Sequence, residues 1–477
     1  MMTPRALFAS IILAAIVAGP VAPPAVARDW PAIPAADAAR LKARVACSCL
    51  TVQRMSLERC SDGEPAIWRY LYPTAPKLLE TPQQRLVVEV AGDETIVRLM
   101  ADGKALAQSH SVGDGGGCVT DEAGGEVAAV AQRESRRQVA PQPLARGPLP
   151  GAVDRAAVEK ALDQGFSPEG PLGKTASAAF VVLDDRVVVE RYAAGLGAQN
   201  EFYLGSVAKV FNNLLAGLLV RDDKLRVAET VNRPEWRAAD DPRRGITFDH
   251  LLHMTSGIGW EEEFFKPGAP AYSVYFAGPA GLDVAGFVAA RESEAAPGTH
   301  FEYSTGASTL LARALQERLK GEPRQALLQY FGNELFAPLG ITGVTLEFDR
   351  SGTYLAGHAA YARAEDLARI GLLLLKEGVW KGRRVLPEGW LEYSRKPTPI
   401  PGERSSGYGA QLMLEVANVP GCFGHHGVGG QFLAVCPKRG LVAVWLGTAF
   451  DFSDAAPQPP DGMVNALIRA FPERASR

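Results

Sequence analysis

The order of the apolar patterns beyond residue 152 constrains the fold more than any other feature of this sequence. Two alternating apolar segments, 178–183 and 186–191, flank an Asp184-Asp185 turn and predict a β-hairpin. Segments with apolar spacings of three and four residues follow and predict helices, and alternating segments return near the end. This order predicts an α+β domain over 152–477 whose first and last strands share one antiparallel sheet. Its other predicted elements are helices at 206–220, 247–254, 308–319, 362–376 and 463–471 and strands at 408–415, 422–426, 431–436 and 441–446.

The beginning of the chain has the pattern of an export signal. Arg5 precedes an almost wholly apolar run at 6–18, and Ala25-Val26-Ala27 fits the small-residue pattern of a cleavage site. The alternative is an uncleaved anchor, but the run is shorter than the roughly 20 residues that a spanning helix needs. We therefore expect residues 1–27 to be a signal peptide. The protein would then be exported, periplasmic or secreted, with no stable membrane span after cleavage.

Residues 28–121 are predicted to form a small β-rich module. A short helix at 35–45 is followed by alternating segments at 85–90, 95–100 and 105–112, separated by Gly-Asp and Asp-Gly turns. Residues 122–151 show no periodicity and are rich in glycine, alanine and proline. We expect them to be a linker or a segment that wraps around the neighbouring domain.

The 6 cysteines fit an exported protein. An even number in an oxidising compartment favours disulfides over free thiols. Cys422 and Cys436 flank a predicted hairpin centred near Gly429 and could pair across it. The pairing of the four early cysteines stays open, and a zinc site among them is disfavoured by their spacing and by the lack of a nearby histidine. These four are Cys47, Cys49, Cys60 and Cys118.

The charge composition argues against one class of partner. The formal net charge is -3, and no long basic run occurs. Because nucleic-acid binding depends on a positively charged surface, we expect no nucleic-acid partner.

Ser206 and Lys209 form the first candidate catalytic pair. They lie three positions apart at the start of a predicted helix, so the lysine amine can reach the serine hydroxyl. A serine needs a base to become a good nucleophile, and a lysine can serve once burial lowers its pKa. The alternative is a serine that caps the helix next to a solvated lysine.

Two further segments carry groups that suit the same chemistry. Tyr303 lies just before a predicted helix, and a tyrosine close to a lysine can relay a proton. The segment from His425-His426-Gly427 to Gln431 forms a glycine-rich turn. Glycines there allow a close backbone approach, so an N–H could join that of Ser206 as an oxyanion hole, and either histidine could bind a carboxylate. The alternatives are a core tyrosine and a hairpin with incidental histidines.

Other hydrolase designs fit this sequence less well. It contains no Gly-x-Ser-x-Gly nucleophile motif, which argues against an α/β-hydrolase. His250 and His253 have H-x-x-H spacing but lack the glutamate of H-E-x-x-H. We therefore expect no catalytic metal.

Taken together, these motifs resemble the beta-lactamase-related serine hydrolases from about residue 173 to residue 471. That group includes class C beta-lactamases, D-alanyl-D-alanine carboxypeptidases, esterases and 6-aminohexanoate-oligomer hydrolases. The resemblance implies a sheet flanked by helices plus a mostly helical subdomain, and no cofactor. It also implies that Ser206 is acylated, that Lys209 and Tyr303 share the proton transfers, and that the Val428 N–H completes the oxyanion hole with Ser206. The motifs that carry it are Gly205-Ser206-Val207-Ala208-Lys209, the segment 251–257, Tyr303-Ser304-Thr305-Gly306 and His425-His426-Gly427.

Two departures from the family pattern bear on the substrate. Thr305 stands where beta-lactamases usually carry the asparagine of Tyr-x-Asn, and His425-His426-Gly427 stands in place of Lys-Thr-Gly. Those groups contact the amide and the carboxylate of a β-lactam. We therefore expect an amidase, esterase or peptidase acting on a small molecule, short peptide or amide. The alternatives are a D-alanyl-D-alanine carboxypeptidase or beta-lactamase, and a non-catalytic binding protein. The predicted substrate contacts are Thr305, His425, His426, Gly427 and Trp260.

Overall fold

A computed structural model describes the chain at residues 35–54, 84–91, 94–111, 117–121, 142–167, 176–264, 266–275, 283–398, 400, 407–447 and 459–474. The predicted signal peptide, most of the predicted linker and Cys60 lie outside these ranges. No helix within them is long and apolar enough to cross a membrane.

The helices and strands have the following bounds. The α-helices are α1 (Ala35–Thr51), α2 (Arg155–Phe166), α3 (Val210–Arg221), α4 (Phe248–Leu252), α5 (Pro270–Tyr275), α6 (Val284–Ala289), α7 (Thr305–Gln316), α8 (Pro323–Phe331), α9 (Ala337–Leu339), α10 (Ala364–Leu375), α11 (Trp390–Ser394) and α12 (Pro459–Arg469). The strands are β1 (Gln84–Ala91), β2 (Glu94–Ala101), β3 (Lys104–Ser111), β4 (Cys118–Asp121), β5 (Ala145–Arg146), β6 (Ala176–Leu183), β7 (Arg186–Tyr192), β8 (Phe202–Tyr203), β9 (Val344–Leu346), β10 (Ala360–Ala362), β11 (Val379–Trp380), β12 (Arg383–Arg384), β13 (Phe423–Gly427), β14 (Gln431–Cys436) and β15 (Leu441–Gly447).

Helix α1 packs on a four-stranded antiparallel sheet of order β1-β2-β3-β4, and we call these elements the N-terminal module. Ala43 of the helix and Leu99 of the sheet belong to one apolar cluster. The Cys47–Cys118 disulfide joins α1 to β4. The three predicted strands are confirmed to within one residue at each end, whereas the predicted helix at 35–45 continues to Thr51.

A six-stranded sheet of order β13-β14-β15-β6-β7-β5 forms the centre of what we call the main domain, the described residues from 142 onward. β15 pairs antiparallel with β6, which confirms that the early hairpin and the late strands share one sheet. Phe180 on one face of β6 belongs to the large core with α3, α7 and α10. Val181 on the other face belongs to a second core with α2 and α12. Helices therefore cover both faces of the sheet, as the family resemblance implies.

The predicted strand at 408–415 is wrong. Tyr408 and Met413 form only isolated bridges, because the chain reverses at Gln411, which has a φ of 56°. The side chain of Gln411 donates a hydrogen bond to the Leu252 carbonyl oxygen at 3.3 Å. This segment therefore folds back to satisfy the end of α4 instead of extending the sheet.

The late hairpin confirms one expected cysteine pair. Cys422 and Cys436 form a disulfide next to the cross-strand pair of Phe423 and Val435 on β13 and β14. The bridge fixes the base of the hairpin whose other end carries the glycine-rich turn.

Candidate active site

Ser206 lies on a short 3-10 turn, Gly205–Lys209, that leads into α3. The sequence predicts an α-helix from Ser206, and the tighter turn is a correction to it. Gly205 has a φ of 53°, a left-handed conformation that favours glycine. A Cβ there would lie 3.0 Å from the Val428 nitrogen. Ser206 is 7% exposed, so its surroundings are largely shielded from bulk water.

Lys209 places its amine beside the Ser206 hydroxyl. The side chain is fully buried, and Nζ lies 3.3 Å from Ser206 Oγ, 3.3 Å from Thr305 Oγ1 and 2.6 Å from the Gly357 carbonyl oxygen. Burial lowers the pKa of Lys209 from 10.5 to about 8, and the negative charge of Glu262 opposes this shift. Part of the lysine population is therefore neutral near pH 7, and a neutral amine can accept a proton.

The partners of Lys209 also direct the lone pair of its neutral amine. The Gly357 carbonyl oxygen can only accept a hydrogen bond. Thr305 Oγ1 donates its proton to Glu262 Oε1, so towards Lys209 it is an acceptor as well. These two acceptors use both N–H bonds of a neutral amine. The lone pair is then left for the Ser206 hydroxyl proton.

Glu262 is a candidate site residue that the sequence prediction did not include. Its Oε2 accepts hydrogen bonds from the Thr305 backbone N–H at 3.1 Å and from Trp260 Nε1. Through the Thr305 hydroxyl, the carboxylate is linked to Lys209. The sequence signal was a tryptophan followed by three glutamates. The pattern alone does not tell the inward-facing Glu262 from Glu263, which is exposed.

The sequence predicts Thr305 and Trp260 as substrate contacts, and the structure places both side chains inside the protein. Thr305 is fully buried, with its hydroxyl between Lys209 and Glu262. Trp260 is 7% exposed and packs on α7, where a Cβ on Gly306 would lie 2.3 Å from its ring. Both side chains donate hydrogen bonds to the Glu262 carboxylate and so hold it beside the lysine.

Tyr303 lies two residues before the start of α7, and its ring faces the lysine amine. Lys209 Nζ is 4.7 Å from the centroid of its ring. The ring also approaches Tyr408 and His425, at centroid distances of 5.8 and 6.4 Å. The structure thus brings Tyr303 to the same amine that contacts Ser206.

The end of β13 packs against the backbone of Ser206. A Cβ on Gly427 would lie 2.4 Å from the Leu204 carbonyl oxygen and 2.8 Å from the Ser206 nitrogen, so only glycine permits this approach. The next N–H, at Val428, donates no backbone hydrogen bond to another residue that the structure describes. The amides of Ser206 and Val428 therefore lie on adjoining segments, which suits the stabilisation of an oxyanion.

The two histidines of β13 lie on opposite faces of the strand. His425 is fully buried; its Nδ1 is 2.6 Å from the His426 carbonyl oxygen, and its Nε2 has no hydrogen-bond partner among the described residues. Burial, and then the positive charge of Lys209, holds the pKa of His425 well below its usual value. Its ring is therefore neutral. His426 is exposed and packs against Phe432, and its role as a substrate contact stays a prediction.

His250 and His253 take part in the local structure of α4. His250 Nδ1 accepts a hydrogen bond from the Thr247 N–H at the start of the helix. His253 Nδ1 lies 3.1 Å from an Asp249 carboxylate oxygen. In the ranges that the structure describes, no group of three or more potential metal ligands occurs.

The main domain is related in sequence to known hydrolases. Residues 168–464 match the beta-lactamase family. Over 235 residues the chain is 28% identical to a 6-aminohexanoate-dimer hydrolase from Paenarthrobacter ureafaciens. That alignment covers 47% of this chain and 58% of the relative, so the chain spans less than two thirds of that protein's length.

Two solved structures share the fold. A Bacillus anthracis protein, provisionally described as a 6-aminohexanoate-dimer hydrolase, gives a TM-score of 0.55 at 18% identity over 70% of this chain and 87% of that protein. A penicillin-binding protein homologue from Caulobacter crescentus gives 0.51 at 17% identity over 68% of this chain and 99% of its own. The predicted fold class is confirmed. Since the family match covers more than half of the sequence, the chain belongs to the beta-lactamase family of hydrolases.

Proposed function

We propose that this protein is a serine hydrolase that cleaves an amide or ester through an acyl-enzyme at Ser206. The observation that carries the proposal is the 3.3 Å contact between Lys209 Nζ and Ser206 Oγ, together with a lysine pKa of about 8. A base in hydrogen-bond reach, with a pKa close to the working pH, is what a serine nucleophile needs.

In the proposed first step, neutral Lys209 takes the Ser206 proton while Oγ bonds to the substrate carbonyl carbon. The resulting oxyanion accepts hydrogen bonds from the N–H groups of Ser206 and Val428. The bond to the leaving group then breaks, and the leaving group receives its proton from Lys209, directly or through Tyr303. Water attacks the acyl carbon, gives a proton to the same base, and releases the acid product with the Ser206 hydroxyl restored.

The groups around Ser206 favour a linear amide or ester over a β-lactam. At the place of the family's Lys-Thr-Gly, this chain has a buried neutral His425 and an exposed His426, so a substrate carboxylate would find no buried cation there. Thr305 uses its hydroxyl on Lys209 and Glu262. The relative from Paenarthrobacter ureafaciens is a 6-aminohexanoate-dimer hydrolase, which supports a linear amide as the substrate class.

A fluorophosphonate probe, which reacts covalently with an activated serine, tests the nucleophile. We expect labelling of the wild type and none of Ser206→Ala. The control is Ser177→Ala, which changes a serine of equal 7% exposure on β6 and should leave labelling intact. An unlabelled wild type, or a labelled Ser206→Ala, contradicts the proposed nucleophile.

A substrate panel tests the class of reaction. It contains short-chain esters, linear amide oligomers, D-amino-acid amides and a chromogenic cephalosporin, each with Ser206→Ala as the blank. We expect turnover of esters or linear amides. Faster turnover of the cephalosporin or of D-alanyl amides supports the beta-lactamase or carboxypeptidase alternative. Labelling without any turnover supports a non-catalytic binding protein.

The disulfides support the proposed location. Cys47–Cys118 and Cys422–Cys436 are both formed, and disulfides persist in oxidising compartments. We propose that the protein is exported to the periplasm or the medium. Cell fractionation tests this, and recovery of the reduced protein from the cytoplasm alone would contradict it.

A further inference from the structure

Arg44 and Ser48 lie one turn apart on α1 and are buried where the N-terminal module meets the main domain. Ser48 Oγ donates a hydrogen bond to Glu347 Oε1, and the Cys118 backbone N–H donates to the same carboxylate. Glu347 itself is 1% exposed. Because the Cys47–Cys118 disulfide links the segments that carry the two donors, it helps to form the site that receives Glu347.

Arg44 brings a positive charge into this buried contact. Burial raises the pKa of the Glu347 carboxyl, and the Arg44 guanidinium opposes that rise. A guanidinium nitrogen of Arg44 also lies 3.4 Å from His358 Nε2. Burial first, and then the charges of Arg44 and Lys209, hold the pKa of His358 well below its usual value. His358 is therefore a neutral ring whose Nε2 accepts from Arg44.

His358 directly follows the residue that accepts from the lysine amine. The Gly357 carbonyl oxygen receives the Lys209 Nζ hydrogen bond at 2.6 Å. A Cβ on Gly357 would lie 2.4 Å from Thr305 Cγ2, so the backbone here packs closely against the threonine that accepts from Lys209. Segment 357–358 thus has Lys209 and Thr305 on one side and Arg44 on the other.

We propose that Arg44 is a positioning residue for hydrolysis at Ser206. The N-terminal module then contributes a residue to the active site. The hydrogen bond from Arg44 fixes the position of His358. The neighbouring Gly357 carbonyl oxygen is thereby kept in place to accept a hydrogen bond from Lys209. That acceptor leaves the lysine lone pair for Ser206. The inference rests on the proposed function, because it concerns the same lysine.

Steady-state kinetics of Arg44→Met test the inference. We expect kcat to fall about tenfold with KM changed less than about twofold, because a misplaced base costs rate rather than substrate affinity. Arg44→Lys keeps the positive charge beside Glu347 and should lose only about threefold. The matched control is Asn200→Asp, which removes a hydrogen bond between the main domain and the residues that follow α1, from Asn200 Nδ2 to the Gln53 carbonyl oxygen at 3.1 Å. It should keep the wild-type kcat.

Hydrogen exchange of the peptide that contains Gly357 and His358 gives a second measurement that needs no substrate. We expect faster exchange in Arg44→Met than in the wild type or Asn200→Asp. If fluorophosphonate leaves the wild type unlabelled, the proposed function fails, and exchange still decides whether Arg44 holds this segment. Wild-type exchange in a folded Arg44→Met overturns the inference, and so does wild-type kcat. If Arg44→Met shows no cooperative thermal transition, the same two measurements on Arg44→Lys decide.

Discussion

The pH dependence of kcat/KM should follow the deprotonation of Lys209, and Glu262→Gln should move it in a known direction. Burial lowers the pKa of Lys209 from 10.5 to about 8, against the charge of Glu262. This shift corresponds to about 3 kcal/mol of destabilisation of the charged amine. With that pKa, about one tenth of the lysine is neutral at pH 7 and about nine tenths at pH 9. We therefore expect kcat/KM to rise about tenfold over this range.

Removing the carboxylate takes a stabilising negative charge away from the protonated amine. The pKa of Lys209 should then fall further, so the rising limb of the profile moves to lower pH. The kcat/KM plateau of Glu262→Gln at high pH should also fall below that of the wild type. A glutamine amide can donate a hydrogen bond where the carboxylate accepted one, and the Thr305 hydroxyl proton is then free to turn to Lys209. There it competes with Ser206 for the lone pair.

Initial rates with the best substrate of the panel, measured at low substrate concentration from pH 6 to pH 9.5, give both profiles. Glu263→Gln makes the same change of charge at the exposed neighbour and should reproduce the wild-type profile. A wild-type profile that is flat between pH 7 and pH 9 would refute the assignment of Lys209 as the base. A shift of the Glu262→Gln profile to higher pH would refute the electrostatic argument.

Three further predictions concern a backbone contact, the buried lysine and a disulfide. Gly427→Ala should lower kcat at least about 100-fold, because its Cβ would lie 2.4 Å from the Leu204 carbonyl oxygen, close to the serine. Steady-state rates test this. The control is Gly462→Ala, whose Cβ would meet nothing within 4 Å. The pKa of Lys209 is about 8 in the folded protein and 10.5 for a free lysine side chain, so the native state binds fewer protons between these values and gains stability as pH rises through them. Urea denaturation at pH 7 and pH 10 should show this gain in the wild type and its absence in Lys209→Met. Replacing Cys422 and Cys436 together by serine should lower the free energy of unfolding by about 3 kcal/mol, the value for a loop of this length, in urea denaturation with the wild type as reference.

Local patterns were sufficient to predict the elements whose residues alternate or repeat regularly. Strand β14, Gln431–Cys436, has the predicted bounds. Segment 408–415 was predicted as a strand because its composition suits one, but Gln411 takes its partners from α4 and α7, more than 100 positions earlier. The interaction that decides its conformation is therefore absent from any local window.

The same limit separates Ser206 and Lys209, which local spacing identified, from the contacts of Glu262 and Arg44, which it missed. Ser206 and Lys209 are three positions apart, so a helical turn alone brings them together. Glu262 reaches the lysine only through Thr305, 43 positions away, and Arg44 meets His358 across 314 positions. Contacts of this kind follow from tertiary packing, which one sequence does not encode in a recognisable spacing.

The hydrogen bond to Glu262 determines which partners the Thr305 hydroxyl can have. A threonine hydroxyl has one proton, and Glu262 receives it, so the oxygen can accept from Lys209 but has no proton left for a ligand. Position 305 is where beta-lactamases usually carry an asparagine that contacts the substrate. In this chain the residue at that position is a hydrogen-bond partner of Lys209. In the proposed hydrolase, substrate recognition is then left to the glycine-rich turn, which packs against the backbone of Ser206, and to the exposed His426. Because the place of the family's lysine holds a neutral, buried His425, we propose an ester or linear amide without a carboxylate beside the scissile bond as the substrate, rather than a penicillin.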